Sequence, residues 1–177
     1  MEIIKPEKKY LQSYYEGCAE TWNHVHDSYI LHNPNLFDKW KTTIFSEYEN
    51  QKNGLNLPNG FVPSATYWII ENNEYAGSIN IRPNLNDKLK KYGGHAGCVI
   101  RRKYRNKGLA QKAGEWTINK LKELNVKEMI LTCEETNIIS QKVLTKLSPV
   151  KCEKDIVMLN NKPTKIRRYF YNTQTLR

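Results

Sequence analysis

Apolar residues in the first third of the chain recur at helical spacing. They recur at intervals of four, three and four residues through Leu11, Tyr15, Cys18 and Trp22. This period predicts a helix with one buried stripe, and Pro6 suits its first turn. A second helix is expected over about residues 36–48, followed by a loop at 53–60 that is rich in Asn, Gly and Pro.

The middle of the chain changes to a strand pattern. Residues 66–71 and 75–81 are rich in β-branched and aromatic side chains, and the two asparagines between them tolerate the positive φ of a tight hairpin turn. Residues 97–100 predict a third strand of this region. The polar stretch at 83–91 is expected to be an excursion or a short helix.

The next part of the chain alternates between helix and strand patterns. One apolar face runs through residues 109–124, which predicts a helix, and a short buried strand is expected at 129–133. A further helix is expected at 139–147, with Thr136 or Asn137 as its N-cap.

Two last strands are expected at 156–159 and 166–171, with an Asn-Asn turn between them. The order of elements is helices, a strand meander, strand-helix-strand-helix and two strands. This order predicts a mixed α/β fold with helices packed on a central sheet. A length of 177 residues suits one domain, so residues 1–177 are expected to form a single domain.

Composition bears on location and redox state. The longest apolar runs span only a few residues, so no membrane-spanning segment is expected, and a secretory signal is not indicated. The four cysteines, Cys18, Cys98, Cys133 and Cys152, form no CxxC pair, which argues against a disulfide framework or a zinc site. Thiols of this kind are typical of a reducing cytoplasm, and we expect Cys98 and Cys133 to be small buried residues.

The charge balance favours anionic partners. The chain has 28 Lys and Arg against 18 Asp and Glu, a net charge of +10. Five of the seven residues 101–107 are basic, and four more basic residues lie within 162–168. Such a surplus suits nucleic acid, a membrane surface or a phosphorylated ligand, or else forms a solvated basic face.

The most informative segment joins a strand, a basic loop and a helix at residues 99–110. Gly108 lets the backbone approach a ligand closely, and the N–H groups of Asn106 to Gln111 would point out of the helix N-terminus. Such a group of donors is suited to a phosphate. The segment lacks the glycine pattern of a Rossmann turn and the Lys-Ser or Lys-Thr ending of a Walker loop.

The same segment resembles a known family. Arg105-Asn106-Lys107-Gly108-Leu109-Ala110 matches the (Gln/Arg)-x-x-Gly-x-(Gly/Ala) signature of the GNAT superfamily of N-acetyltransferases. The chain is also similar to a bacterial branch of that superfamily over about residues 60–171. The resemblance implies that this loop binds the pyrophosphate of coenzyme A and that acetyl-CoA is the acetyl donor.

The resemblance also assigns the other cofactor contacts. It implies that the backbone of the strand end at Cys98-Val99-Ile100 pairs with the pantetheine arm, and that Asn137 opens the helix after the next strand. No metal is implied. The cofactor-binding residues that it implies are Cys98, Val99, Ile100, Arg105, Asn106, Lys107, Gly108, Leu109, Ala110, Gln111, Asn137 and Ser140.

The fold that the resemblance implies is a GNAT-like, mostly antiparallel, splayed central sheet of about six or seven strands flanked by helices. Residues 1–60 would form a helical acceptor side and residues 61–177 the cofactor-binding core. The implied activity is direct transfer of an acetyl group from acetyl-CoA to a primary amine. The implied partners are coenzyme A and an amine acceptor, for a cytoplasmic monomer or homodimer without a membrane contact.

The catalytic half departs from the superfamily pattern. The Tyr expected seven residues after Asn137 is Leu144, which cannot donate a proton, and a common base position on the preceding strand is Thr132. His95 and Glu134 are therefore the candidate catalytic residues. His95 has a near-neutral reference pKa, and Glu134 follows a strand end whose side chains can reach the cleft.

Tyr104, Tyr169 and Tyr171 are candidate proton donors for the departing thiolate, although core or surface aromatic residues are the ordinary interpretation. Alternatively no general acid is needed, because a thiolate is a fair leaving group.

In the superfamily, the hairpin that corresponds to residues 66–81 forms one wall of the acceptor site. The resemblance therefore implies that Trp68, Asn80 and Arg82, on or next to this hairpin, are candidate substrate-binding residues. Arg82 would receive a carboxylate or phosphate of the acceptor, or else is a solvated strand-end charge.

Two alternative functions of the chain remain open besides acetyl transfer. Leu144 and Thr132 favour a non-catalytic acyl-CoA-binding sensor. The net charge would suit a nucleic-acid-binding module, but no helix-turn-helix, RNP or zinc-finger pattern is present. His24, His26 and His32 are not expected to bind a metal, because residues two apart do not share a helix face.

Overall fold

Seven strands and six α-helices make up the part of the chain described by a computed structural model, residues 1–22 and 31–174. The strands are β1 (Glu2–Ile4), β2 (Ala65–Glu71), β3 (Glu74–Ile81), β4 (Ala96–Ile100), β5 (Glu128–Glu134), β6 (Lys151–Leu159) and β7 (Lys162–Asn172). The helices are α1 (Leu11–Thr21), α2 (Phe37–Trp40), α3 (Ile44–Lys52), α4 (Asp87–Lys91), α5 (Leu109–Glu123) and α6 (Ile138–Lys146).

The strands form two sheets, of order β1-β2-β3-β4 and β5-β7-β6. β1 runs antiparallel to β2, and β7 runs antiparallel to both β5 and β6. Asn72 and Asn73 join β2 to β3 with φ values of 52° and 59°, the backbone region that the hairpin turn requires. The predicted mixed α/β fold of about six or seven mostly antiparallel strands is confirmed.

The chain divides into two compact units. The first comprises residues 1–80 and 98–113, and the second comprises residues 81–97 and 114–177. The expected division into an acceptor side at 1–60 and a cofactor core at 61–177, within a single domain, stays a prediction.

Helix α1 buries a different face from the expected one. Of the predicted stripe only Cys18 is buried, while Leu11, Tyr15 and Trp22 are half-buried. The face is set instead by Tyr14, whose ring stacks on Trp68 with the centroids 4.5 Å apart. A tyrosine can occupy the core because its ring is largely apolar and its hydroxyl can be hydrogen-bonded there. Other buried residues of this face are Tyr10, Gly17 and Thr21.

The expected helix over residues 36–48 is two helices. α2 ends at Trp40, whose indole N–H donates to the carbonyl of Asn33 at 2.7 Å, and α3 begins at Ile44. Thr42 and Thr43 lie at the break, where β-branched side chains disfavour a continuous helix. The three-residue β1 was not expected, because so short a strand has no readable period.

The second unit packs α6 against its sheet. The Tyr171 hydroxyl on β7 donates to the carbonyl of Leu144 on α6 at 2.8 Å. Gly114 on α5 lies so close to Leu147 that a Cβ there would come within 2.5 Å of its side chain. Leu144 is itself buried, so the position that the superfamily gives to a catalytic Tyr belongs here to the hydrophobic core.

Candidate functional site

The loop between β4 and α5 has the predicted form. A 3₁₀ turn over Arg102–Tyr104 follows the strand, and α5 begins at Leu109 directly after Gly108. Asn106 and Gly108 have φ values of 60° and 77°, in the left-handed region that turns the chain into the helix. The N–H groups of the first turn of α5 are therefore directed outwards from the helix N-terminus, where an anion is favoured.

The outer side of this loop is open. Asn106, Lys107 and Gly108 are exposed, and a Cβ placed on Gly108 would meet no atom within 4 Å. Arg105 is half-buried, and its Nε donates to the carbonyl of Ile100 at 3.0 Å, which ties the loop back to β4. An open glycine that follows two exposed polar residues at a helix N-terminus fits a diphosphate.

One arginine of the basic cluster faces inwards. The side chain of Arg101 is only 2% exposed, and its Nη2 lies 2.6 Å from a carboxylate oxygen of Glu20 and 3.4 Å from one of Glu16, both on α1. Its Nη1 also donates to the backbone carbonyl of Ser13 at 3.3 Å. Arg101 is thus a structural cation, whereas Arg102, Lys103 and Lys107 are exposed.

The candidate tyrosine donors are held by protein partners. The Tyr104 hydroxyl donates to the Glu74 carboxylate at 2.8 Å, and burial together with that carboxylate raises the pKa of Tyr104 to about 12. Burial also raises the pKa of Tyr169 and of Tyr171, which lie in the core of the second unit. These contacts favour the ordinary interpretation of all three as structural aromatic residues.

Strand β4, whose end the resemblance assigns to the pantetheine arm, leads directly into the loop before α5. Val99 and Ile100 are buried, whereas Cys98 is exposed, so its prediction as a buried residue is wrong. The side chains of Cys98 and Val99 point to opposite faces of β4, and the face of Cys98 is covered at Ile100 but open at Cys98. Cys133 is buried as expected, and burial raises the pKa of its thiol to about 11.

Asn137 is the N-cap of α6, which settles the choice between Thr136 and Asn137. Its Oδ1 accepts a hydrogen bond from the backbone N–H of Ser140 at 3.0 Å. The Ser140 hydroxyl in turn lies beside the Cys133 thiol. The two residues assigned to the cofactor on this helix therefore lie together in the second unit.

His95 braces the segment ahead of β4 against β5. Its Nδ1 accepts a hydrogen bond from the backbone N–H of Ile130 at 2.9 Å, and the backbone N–H of His95 donates to the Ile130 carbonyl at 2.8 Å. Burial lowers the pKa of His95 to about 4, and the nearby Arg82 charge lowers it further. An imidazole whose Nδ1 lone pair is occupied has its proton on Nε2, so this geometry favours a structural role over that of a general base.

Glu134 is half-buried at the end of β5, on the same side of the strand as Thr132. The Thr132 hydroxyl accepts the backbone N–H of Gly93 at 2.9 Å, so the segment 92–94 lies along this side. Burial raises the pKa of the Tyr92 hydroxyl, and the Glu134 carboxylate raises it further. Tyr92 and Glu134 are therefore neighbours, a pairing that residues 42 apart in sequence could not reveal.

The candidate acceptor-wall residues are engaged within the protein. Trp68 is fully buried and stacked on Tyr14, and its assignment to the acceptor side stays a prediction. Asn80 is also buried, and its Nδ2 donates to the hydroxyls of Ser64 and Thr66 at 3.1 and 3.2 Å.

Arg82 donates to two backbone carbonyls, from Nε to Gly94 at 2.9 Å and from Nη2 to Gly93 at 3.1 Å. These bonds hold the segment whose Gly94 adopts φ 59° against the backbone of Ile130. No sequence pattern signals an arginine that binds its own loop.

Within residues 1–22 and 31–174, no cluster of three or more His, Cys, Asp or Glu side chains could hold a metal ion. His24 and His26 lie outside the described residues. The third histidine, His32, has its Nδ1 2.7 Å from the Tyr14 hydroxyl and its Nε2 3.5 Å from the Glu47 carboxylate. The described helices also include none long and apolar enough to cross a membrane.

The sequence model of the acetyltransferase (GNAT) domain matches residues 14–148, most of the chain. The chain belongs to the GNAT acetyltransferase family. It is therefore an acetyltransferase, of the N-acetyltransferase type, and members of this family use acetyl-CoA. A comparison with curated proteins finds no match.

Solved structures of other acetyltransferases share the fold of this GNAT chain. One is a ribosomal-protein-S5-alanine acetyltransferase from Vibrio fischeri, 16% identical, with a TM-score of 0.67 over 99% of this chain and 94% of that one. Another is a spermidine N-acetyltransferase chimera from Vibrio cholerae and hSSAT, 10% identical, with a TM-score of 0.64 over 99% of both chains. A third, a ribosomal L7/L12 alpha-N-protein acetyltransferase in complex with coenzyme A, is 12% identical, with a TM-score of 0.61 over 96% and 92%.

Proposed function

We propose that this GNAT protein transfers the acetyl group of acetyl-CoA to a primary amine by direct transfer. The observation that carries the proposal is the open Gly108 turn at the N-terminus of α5, flanked by Asn106 and Lys107. The first-turn N–H groups of α5 and the exposed lysine would hold the diphosphate. The bound co-substrate supplies a thioester, an acyl group on a good leaving group.

The names of similar structures support an amine acceptor. One is named a spermidine N-acetyltransferase and another a ribosomal-protein-S5-alanine acetyltransferase. Spermidine and alanine are both amines, which supports an amine as the acceptor here. An amine attacks as the neutral base, so the site needs a group that takes up its proton.

We assign that proton to the Glu134 carboxylate. Glu134 is half-buried at the end of β5, while the alternative, His95, has its Nδ1 occupied by a backbone N–H. Thr132, which occupies the usual base position, has its hydroxyl accepting from Gly93. Of these three side chains we assign the role to Glu134, because the other two accept hydrogen bonds from backbone N–H groups.

The cofactor site is tested by Gly108→Glu, with Gly60→Glu as the matched control. Both glycines have positive φ, 77° and 84°, and a Cβ at either position would meet no atom within 4 Å, so the backbone cost of the two changes is similar. Only Gly108→Glu puts a carboxylate where the diphosphate would lie. Calorimetric titration with acetyl-CoA and with coenzyme A should show binding by the wild type and the control, and none by Gly108→Glu.

Equal loss of binding in both glycine variants would trace the effect to strain and remove the support for a diphosphate at Gly108. Binding by neither variant nor wild type would overturn the proposed function. A thiol-release assay over a panel of primary amines then measures turnover in the wild type.

A non-catalytic acyl-CoA sensor is the second candidate. It is favoured by Leu144, a buried core residue at the position where the superfamily has its Tyr, and by Thr132 at the usual base position. Binding without turnover on any amine of the panel would support the sensor. A cytoplasmic location and a monomer or homodimer remain the expected setting, and the absence of a disulfide among the four cysteines is compatible with a reducing compartment.

A further inference from the structure

The second sheet carries an open concavity beside the β6–β7 hairpin. Its volume is about 290 Å³, and it is lined by Glu135, Lys154, Asp155, Ile156, Lys165 and Ile166. In the β6–β7 register Lys154 is opposite Arg167, and Ile156 is opposite Lys165. These four side chains project from the same face of the hairpin, since paired residues share a face and the alternation along each strand has period two.

This face combines positive charge with exposed aliphatic side chains. Ile156 and Met158, two residues apart on β6, are 61% and 66% exposed. The Glu135 carboxylate lies 3.3 Å from both Lys154 Nζ and Arg167 Nη2, so a single acid is shared by two cations, and Lys165 adds a third. We call Lys154, Ile156, Met158, Lys165 and Arg167 the hairpin face.

The hairpin face ends at an open strand edge. β6 spans nine residues, and in the part of the chain that the structure describes it pairs with β7 alone. An edge strand presents a row of backbone donors and acceptors, to which an extended segment can add as a further strand. The aliphatic side chains of β6 would then contact alternate side chains of that segment.

We propose that the β6 edge and the hairpin face bind an acidic, extended polypeptide segment. Charge complementarity selects this occupant: residues 151–172 include six Lys and Arg and two Asp and Glu. A second copy of the chain would bring one basic hairpin against another, which like-charge repulsion opposes. Nucleic acid would find no exposed aromatic ring on this face for stacking.

The proposal goes beyond the acetyl transfer and does not depend on it, because the binding is measured without acetyl-CoA. The probe is a short fluorescein-labelled peptide in which glutamate alternates with valine, and fluorescence anisotropy gives its Kd. Lys154→Gln combined with Lys165→Gln removes two charges from the hairpin face. The matched control, Lys88→Gln combined with Lys91→Gln, removes two exposed charges from the region of α4 in the same unit.

We expect the hairpin pair of changes to weaken peptide binding about tenfold and the α4 pair to change it little. Ile156→Thr, which keeps a β-branched residue in the strand, should also weaken it. A peptide N-methylated at alternate residues on its pairing edge should bind poorly, since it cannot donate to β6. Circular dichroism checks that each variant is folded.

Three results would overturn the proposal. Equal losses in the two lysine pairs would show a non-specific charge effect. Tighter binding of a single-stranded RNA or of anionic lipid vesicles than of the peptide, with the same sensitivity to Lys154 and Lys165, would assign the face to that partner. A concentration-dependent dimer in sedimentation velocity that Ile156→Thr abolishes would assign it to a second copy.

Discussion

At single positions, burial and hydrogen bonding decide what an ionisable side chain of this acetyltransferase can do. His95 and Glu134 both looked like bases in the sequence, yet the first has its Nδ1 on a backbone N–H and the second ends a strand with its carboxylate near Tyr92. By residue type alone, His95 and Glu134 were equally good candidates for the general base. The contacts of each side chain separate them.

Glu134→Gln should lower kcat about 100-fold, because the amide cannot take up the proton of the acceptor amine. The KM for acetyl-CoA should stay close to that of the wild type. Glu128→Gln makes the same change at the exposed start of β5 and serves as the control. Steady-state kinetics with the best amine of the panel measure both. A kcat of Glu134→Gln equal to that of Glu128→Gln would remove Glu134 from the mechanism.

His95→Asn should leave the shape of the pH–rate profile unchanged and change the pH dependence of stability. The folded-state pKa of His95, about 4, lies below its ordinary value of 6.5, so the unfolded chain binds more protons between them. The stability due to neutral His95 is complete above about pH 6.5 and is lost as the pH falls towards 4. Burial lowers the pKa of His32 as well, which acts in the same direction.

Urea unfolding at about pH 7 and about pH 5 should therefore show a smaller loss of stability on acidification for His95→Asn than for the wild type. The asparagine Oδ1 can still accept the Ile130 N–H. A pH–rate profile that loses its acidic limb in this variant would instead identify His95 as the base.

At the scale of elements, a few hydrogen bonds and ion pairs connect helices and strands that lie far apart in the sequence. Arg101 follows β4 and bonds to Glu16 and Glu20 on α1, more than 80 residues away in the chain. Gly17 sits in the same junction, where a Cβ would come within 2.6 Å of the Tyr75 ring. These contacts fix the start of the β4–α5 loop from its inner side, while its outer side stays open.

Arg101→Ala should lower the free energy of unfolding by about 3 kcal/mol, because it removes a buried cation from two carboxylates and a backbone carbonyl. Arg102→Ala changes the neighbouring exposed arginine and should cost less than about 1 kcal/mol. Thermal or urea denaturation compares the two. Similar stabilities of the two variants would show that the Arg101 contacts contribute little.

At the scale of the whole molecule, the surplus of positive charge acts on any anionic ligand. The net charge is +10, and the exposed side of the cofactor loop carries Arg102, Lys103 and Lys107. Such a field attracts a coenzyme A molecule with its several phosphate charges and is screened by salt.

Raising the ionic strength from about 0.01 M to about 0.15 M should weaken coenzyme A binding several-fold, as the screening length falls from roughly 30 Å to roughly 8 Å. Lys107→Gln should show a shallower dependence of log Kd on log salt than the wild type. Lys88→Gln, an exposed charge on α4, should keep the wild-type dependence. Titrations at several salt concentrations measure the slopes, and identical slopes in all three proteins would contradict a role for Lys107 at the phosphates.

The sequence by itself determined the strand-loop-helix form of residues 99–110, the Asn-Asn hairpin and a helix N-cap at Thr136 or Asn137, and through the loop motif it indicated the family. Each of these depends on neighbours within a few residues, where backbone preferences and periodicity act directly. The tertiary structure alone decided that Trp68 is core, that Arg101 and Arg82 bind protein groups, and that Tyr92 lies beside Glu134. Those outcomes depend on which distant segment packs against a side chain, and desolvation by that segment fixes its partners and its pKa.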